Sequence, residues 1–233
     1  FNRGGNSLKL NLLNTALTGI IAEFKRQSPS KGIINDTASV ADVVNAYTKY
    51  GAAGISVLTD KTFFGGTIDD LSIAVKNPIP VLRKEFIIDE YQLIEAKAYG
   101  ASVILLIAAC LTPNTTHALA KYAKSLGLEV LLEIHDATEL GHISEAVDFV
   151  GINNRSLKSF DVNIEHSLEL KHQLPKGILS IAESGIYSVE TFNVLKKEGF
   201  DGFLMGEYFM KQANPAAAFE AFVTSIKTEN DAV

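Results

Sequence analysis

What this sequence lacks narrows its function first. It has one cysteine, Cys110, inside the apolar run VILLIAACL, so no disulfide can close within the chain and a reducing, cytoplasmic setting is expected. Cations are outnumbered, with 21 Lys and Arg against 27 Asp and Glu and a formal net charge of -6. The pI lies near 5.4, and the basic stripe of a nucleic-acid binder is missing. An anionic substrate would need a local cluster of cations instead. No apolar run approaches the roughly 20 residues that cross a bilayer. The opening stretch, FNRGGNSLK, lacks the apolar segment of a secretory signal, so no membrane association is expected. Two Asn-x-Ser/Thr matches, at Asn114 and Asn154, matter only in a secreted protein and are set aside.

Several familiar catalytic motifs are also missing. No GxGxxG follows the first apolar run, which argues against a dinucleotide-binding fold, and no GxSxG marks a nucleophile elbow. The histidines, His117, His135, His142, His166 and His172, show no metal-ligand spacing, and a lone cysteine adds no cluster. No metal is expected, and general acid–base catalysis is the class that remains.

What is present is aliphatic and regular. With 47% hydrophobic residues among 233 and a mean hydropathy of +0.15, the chain can build a large core. Short runs rich in β-branched residues recur at 19–24, 54–59, 79–84, 102–107, 128–134, 148–152, 178–184 and 201–206. Most are continuously apolar, as strands of a parallel sheet covered on both faces are. Between them lie helical patterns such as VADVVNAYTKYG and VETFNVLKKEG, several ending in a glycine suited to a helix C-cap. Eight such units without a Gly/Ser/Pro-rich linker predict an α/β fold, a single (β/α)8 barrel over 1–233 with eight strands and eight helices in alternation. An open doubly wound sheet is the weaker alternative. About 18 residues precede the first strand, including a short amphipathic stretch, KLNLLNTAL, whose place the pattern does not give.

Chemistry in such a barrel gathers at the carboxyl ends of the strands. Glu23 and Lys25 end the first strand two residues apart, hence on one face. Lys84 ends the third, Glu133 the fifth, Asn153 and then Arg155 the sixth, and Glu183 the seventh. Glu133, after VLL and before Ile134, is expected to be half buried, which would raise its pKa towards that of a general base. Burial of Lys84 is expected to lower its pKa and ease proton donation. ESG at 183–185 and MGE at 205–207 place Gly185 and Gly206 where barrels bind phosphate through backbone N–H groups, with a short helix starting at Glu207. KRQSPSKG at 25–32 reads as a closing loop beside the charged pair, and Phe64, Phe86, Leu105 and Phe160 stand where an aromatic substrate could lie.

IIAEFKRQSPSKG at 20–32 resembles the signature of the indole-3-glycerol phosphate synthases. VLRKEFIIDEYQ at 81–92, LLEIH at 131–135, GINNRSLKSFDV at 151–162, IAESGI at 181–186 and GFLMGE at 202–207 resemble further motifs of that family, in order. The resemblance spans roughly 19–228 and implies a barrel with the two-strand phosphate site. By resemblance Lys84 is the general acid and Glu133 the general base, Glu23 and Lys25 complete the charged site, and Asn153 positions reacting groups. Ser28, Arg155 and Glu183 match residues around the substrate's carboxylate. Ser184, Gly185, Gly206 and Glu207 match the phosphate site, with Glu207 giving its backbone N–H, and Phe64, Phe86, Leu105 and Phe160 form the aromatic slot. The resemblance implies a reaction that needs no cofactor and a phosphorylated small molecule as the partner, with no nucleic acid or membrane. The chain is expected to be a monomer or weak oligomer, open to contact with other enzymes of tryptophan synthesis.

Two departures stand out. The family usually carries a longer segment before the first strand that helps cover the aromatic pocket, so this front is short or incomplete. Glu85 follows the proposed acid where aspartate is commoner. A phosphoribosylanthranilate isomerase is disfavoured because that enzyme needs a cysteine after the first strand, where EFKRQSPS stands. A barrel kept only as a binding module is disfavoured by the joint presence of Lys84 and Glu133.

Overall fold

The computed structural model describes residues 6–155 and 162–231. Eight parallel strands follow one another: β1 (Ile20–Phe24), β2 (Gly54–Leu58), β3 (Val81–Lys84), β4 (Val103–Ile107), β5 (Glu129–Ile134), β6 (Phe149–Asn153), β7 (Leu179–Glu183) and β8 (Gly202–Met205). Each pairs with its sequence neighbour, and β1 pairs with β8 to close the barrel, as the eight apolar runs predict.

Period-two alternation sorts every strand into two faces. Ile20, Ala22 and Phe24 of β1 join the layer between strands and helices, whereas Ile21 joins Leu82, Val103, Leu131, Phe149, Ile181 and Leu204 inside the barrel. Counting two residues on from those inner positions gives Glu23, Lys84, Leu105, Glu133, Gly151, Glu183 and Gly206. The charged residues are thus the top layer of the barrel interior, laid on an apolar floor. Gly151 and Gly206 sit in this layer because neighbours fill their side-chain space. A Cβ at 206 would lie 2.8 Å from the Glu23 side chain, and one at 151 would collide with the Glu183 carboxylate.

The helices between the strands begin where the sequence supplies caps. Ser39, Asp89, Thr112 and Ser188 each accept a hydrogen bond from the first turn of the helix that follows. Gly51, Gly100, Gly127 and Gly199 end them at positive φ, as the glycine-terminated patterns suggest.

The expected regular alternation needs one correction. The connection between β5 and β6 is a 3-10 segment, Ala137–His142, in place of an α-helix. Asp136 caps it through the Thr138 N–H, and both ring nitrogens of His142 lie 3.0 Å from backbone carbonyls, of Glu139 and Leu111. A tight turn pinned this way covers the strands in six residues.

KLNLLNTAL also acquires a place. Leu8–Leu12 forms a short helix capped by Ser7 that closes the amino-terminal end of the barrel, opposite the charged layer. Leu8 is fully buried against the inner cluster and abuts Gly54, while Leu12 abuts Gly202. Glu129, at the start of β5, accepts hydrogen bonds from Ser7 Oγ (2.5 Å) and the Leu8 N–H (2.7 Å). This stretch therefore plugs the floor and does not cover the aromatic pocket. No helix among the described residues is long and apolar enough to cross a membrane.

Candidate active site

The carboxyl ends of the strands surround a cavity of about 230 Å³. Lys84 occupies its base. Its Nζ lies 3.1 Å from Glu183, 3.6 Å from Glu23 and 3.9 Å from Glu133. Lys25 pairs with Glu23 at 3.0 Å, and Ser56 of β2 donates to the same carboxylate at 3.2 Å. Asn153 donates to Glu133 at 3.0 Å while its own carbonyl oxygen accepts the Arg155 N–H. Six of the residues expected from strand ends, Glu23, Lys25, Lys84, Glu133, Asn153 and Glu183, therefore share one constellation.

Its electrostatics differ from the sequence expectation in one respect. Burial alone would depress the Lys84 pKa, but Glu183, Glu23 and Glu133 reverse that and raise it. The ammonium is held charged and is not a weakened acid. Glu23 is likewise opposed by burial, yet Lys25 and Lys84, with Ser56, bring its carboxyl down to about 2. Burial lifts Glu183: despite Lys84, desolvation and the facing Glu133 push it up to about 8. Counting charges gives the same answer, since three carboxylates face two ammonium groups and one proton among the carboxyls restores neutrality.

Above this base the walls differ. On one side Phe64 and Phe86 stand with ring centroids 6.1 Å apart, and Leu105 of β4 joins the lining. Glu85 turns aside to accept from Thr59 (2.6 Å) and from the Phe86 N–H. Opposite, β7 ends in two successive left-handed residues, Ser184 (φ 64) and Gly185 (φ 77). Asn154 braces this turn by donating to the Ser184 carbonyl at 2.7 Å. A helix of one turn, Glu207–Met210, starts beside it as expected. The Glu207 carboxylate is neutralised by Arg155 at 3.1 Å, and Arg155 also reaches Tyr187 (2.9 Å) and Ser30 (3.4 Å).

Ser28, Pro29 and Ser30 of the KRQSPSKG segment border the cavity. Gln27–Ser28 and Gly32–Ile33 form a two-stranded hairpin. The Arg26 carbonyl accepts from Ile34 and Asn35 at the hairpin's base, and the Arg26 guanidinium forms a two-point ion pair with Asp70. Of the expected site residues, Phe160 lies outside the described residues. Sequence reasoning missed Ser56, Tyr187 and His135. Ser56 was readable as an inward position of β2. Tyr187 and His135 carry no signal without the fold.

Residues 6–222 match the family model described as indole-3-glycerol phosphate synthase. The chain is similar to the indole-3-glycerol phosphate synthase of Bacteroides thetaiotaomicron, 47% identical over 213 residues, covering 90% of this chain and 81% of that protein. It is 48% identical over 207 residues to that of Exiguobacterium sp. (strain ATCC BAA-1283 / AT1b), covering 88% and 81% respectively. Among solved structures, the tryptophan synthase subunit alpha from Legionella pneumophila str. Paris superposes with a TM-score of 0.70 at 14% identity, over 98% of this chain and 99% of that one. The 3-hexulose-6-phosphate synthase from Salmonella typhimurium gives 0.67 at 14%, over 90% and 98%. At such identities these two speak for the barrel fold alone.

Proposed function

Because this chain belongs to the indole-3-glycerol phosphate synthase family, the carboxy-lyases that close the indole ring in tryptophan biosynthesis, we propose how its own residues carry that reaction. Lys84 is the general acid and Glu133 the general base, acting on 1-(2-carboxyphenylamino)-1-deoxyribulose 5-phosphate. The observation that carries this reading is the Lys84 ammonium, within 4 Å of three carboxylates from three other strands at the base of the cavity.

Lys84 protonates the ribulose carbonyl oxygen as the aryl carbon attacks C2. A raised pKa does not prevent this, because the developing alkoxide is far more basic than an amine, and the fixed charge stabilises it as it forms. Loss of carbon dioxide restores the aromatic ring. The C2 hydroxyl then leaves as water and a proton leaves C1, with Glu133, oriented by Asn153, as the base. Glu23 holds Lys25 and Lys84 in place by charge.

Substrate binding divides along the two walls. Phe64, Phe86 and Leu105 take the anthranilate ring, a role Phe160 is proposed to share. Arg155, Ser28 and a protonated Glu183 meet its carboxylate, and a carboxyl near pKa 8 can donate a hydrogen bond where an ionised one would repel. Backbone N–H groups of Ser184, Gly185, Gly206 and Glu207 receive the phosphate. A monomer or weak oligomer is proposed as the working form. The unpaired Cys110 fits a cytoplasmic setting.

Turnover followed by indole fluorescence tests the reading directly. The purified chain should turn over the ribulose phosphate, and Lys84→Ala and Glu133→Ala, each verified as folded, should each lose about 10²-fold or more in kcat. A folded Lys84→Ala enzyme with near-normal kcat would remove the proposed acid.

A further inference from the structure

Behind Glu133, on the side away from Lys84, stands a histidine that the acid–base scheme leaves unused. His135 follows β5 by one residue, and its side chain is 11% exposed. Its Nε2 lies 3.4 Å from Glu133 Oε1, and its Nδ1 lies 3.6 Å from Glu139 Oε2. Both ring nitrogens are buried and neither reaches a hydrogen-bond partner, so the ring is aimed between two carboxylates without being spent on the fold.

Backbone contacts fix this arrangement. The His135 N–H donates to Glu139 at 2.6 Å, and the His135 carbonyl faces His166 Nε2 at 2.9 Å. Glu139 sits on the 3-10 segment that replaces the expected helix, with Asp136 exposed at its cap. The tight connection thus brings a second carboxylate back to the end of the strand that holds Glu133. Ion pairing of a half-desolvated imidazole with two carboxylates favours its charged form. Burial works against this, but Glu139, Glu133 and Glu183 outweigh it and raise the His135 pKa.

The reaction itself calls for such a path. With the substrate carboxylate ionised, one proton goes to the carbonyl oxygen, a second leaves with the hydroxyl as water, and one is recovered from C1. The electron pair of the broken C–CO2 bond returns to the ring, that of the C–H bond enters the new C=C bond, and that of the C–O bond leaves with water. Each turnover therefore takes up one net proton, at a site where Glu133 is only 4% exposed.

We propose that His135 and Glu139 form a relay that exchanges protons between Glu133 and solvent, acting through Glu133 and not on the substrate. Inward, solvent protonates Glu139, Glu139 passes its proton to Nδ1, and the Nε2 proton moves to Glu133. Outward, a proton taken by Glu133 enters at Nε2 of the neutral ring while the Nδ1 proton leaves through Glu139. Glu133, Glu139, Glu183, Asp136 and His166 set the charge around the ring, with the Cys110 thiol beyond them under the influence of the same two glutamates.

The inference rests on Glu133 as the base, and the experiment separates the two. Steady-state kcat and KM are measured for the wild type, His135→Asn, Glu139→Gln and Glu133→Gln at rising concentrations of imidazole buffer, at constant pH and ionic strength. Glu139→Gln keeps an acceptor for the His135 N–H, so one relay variant retains the local fold if His135→Asn does not. Both relay variants should lose about tenfold in kcat with KM little changed, and added imidazole should restore kcat, because a mobile acid–base pair replaces the fixed one. The wild type should ignore the buffer. Folded relay variants with wild-type kcat, or a loss of kcat that imidazole leaves untouched, would overturn the relay while leaving Glu133 as the base. A Glu133→Gln enzyme with normal turnover would overturn the reading beneath it.

Discussion

Strand β5 carries two glutamates four residues apart on the same inward face, Glu129 at one end of the barrel and Glu133 at the other. Glu129 is spent on structure: it accepts three hydrogen bonds from the Ser7 hydroxyl and the Leu8 and Lys9 N–H groups, and so anchors the plug that seals the floor. Among the described residues Glu133 accepts one close hydrogen bond, from Asn153 at 3.0 Å, with His135 Nε2 at 3.4 Å and Lys84 Nζ at 3.9 Å as its charged neighbours. The same side chain on the same face is saturated at the bottom and kept available at the top. Stability and chemistry have been placed at opposite ends of one barrel, as the fold allows.

The sharpest way to break that contrast is at Lys84. Lys84→Ala should cost kcat about 10²–10⁴-fold and lower stability as well, because three carboxylates lose their shared cation. Thermal unfolding beside the fluorescence assay reads both effects. Gly206→Ala comes next. Its Cβ would meet Glu23, displacing the partner of Lys25 and Lys84, so kcat should fall about tenfold or more, since misplacing a catalytic group by about 1 Å can cost 10²-fold. At the floor the pattern inverts. Leu8→Ala should lose about 2–4 kcal/mol of stability in denaturant unfolding, as buried leucines do, with kcat unchanged within error.

The smallest effect separates the carboxyls by pH. Burial and the facing Glu133 raise Glu183 from the ordinary carboxylate range to about 8, so its protonated form favours folding. That contribution is complete below the ordinary carboxylate range and lost as pH rises through about 8. Glu23 has the opposite sign: its contribution is present above its unfolded value and lost as pH falls through about 2. Unfolding midpoints measured across pH should therefore decline from mildly acidic to mildly alkaline solution, and Glu183→Gln should flatten that decline. An unaltered slope in Glu183→Gln would place the missing proton elsewhere.

Much of this was legible in the sequence, for a physical reason. Strands covered on both faces must be continuously apolar, so the run at 102–107 or 128–134 announces itself, and a charge at the end of such a run is conspicuous. Glu23, Lys84, Glu133 and Glu183 were visible as strand ends before their contacts were known. Pairwise fields were not visible. That Lys84 faces three carboxylates depends on β1, β5 and β7 closing around β3, and this is what reversed the expected lowering of its pKa. The plug was hidden because an amphipathic stretch of nine residues does not say which apolar floor it will cover. The 3-10 connection after β5 was hidden because His142 and Asp136 fix it through particular hydrogen bonds that no periodicity encodes.

The most direct test of the division of labour is one substitution made twice on one strand: Glu129→Gln and Glu133→Gln, each measured for kcat and for unfolding free energy. Glu129→Gln should lose about 1–3 kcal/mol of stability, as a half-buried charge-assisted network weakens, and keep its kcat. Glu133→Gln should lose about 10²-fold or more in kcat and little stability. Equal losses of activity in the two variants, or a Glu133→Gln enzyme that turns over normally, would contradict the separation of chemistry from support along β5.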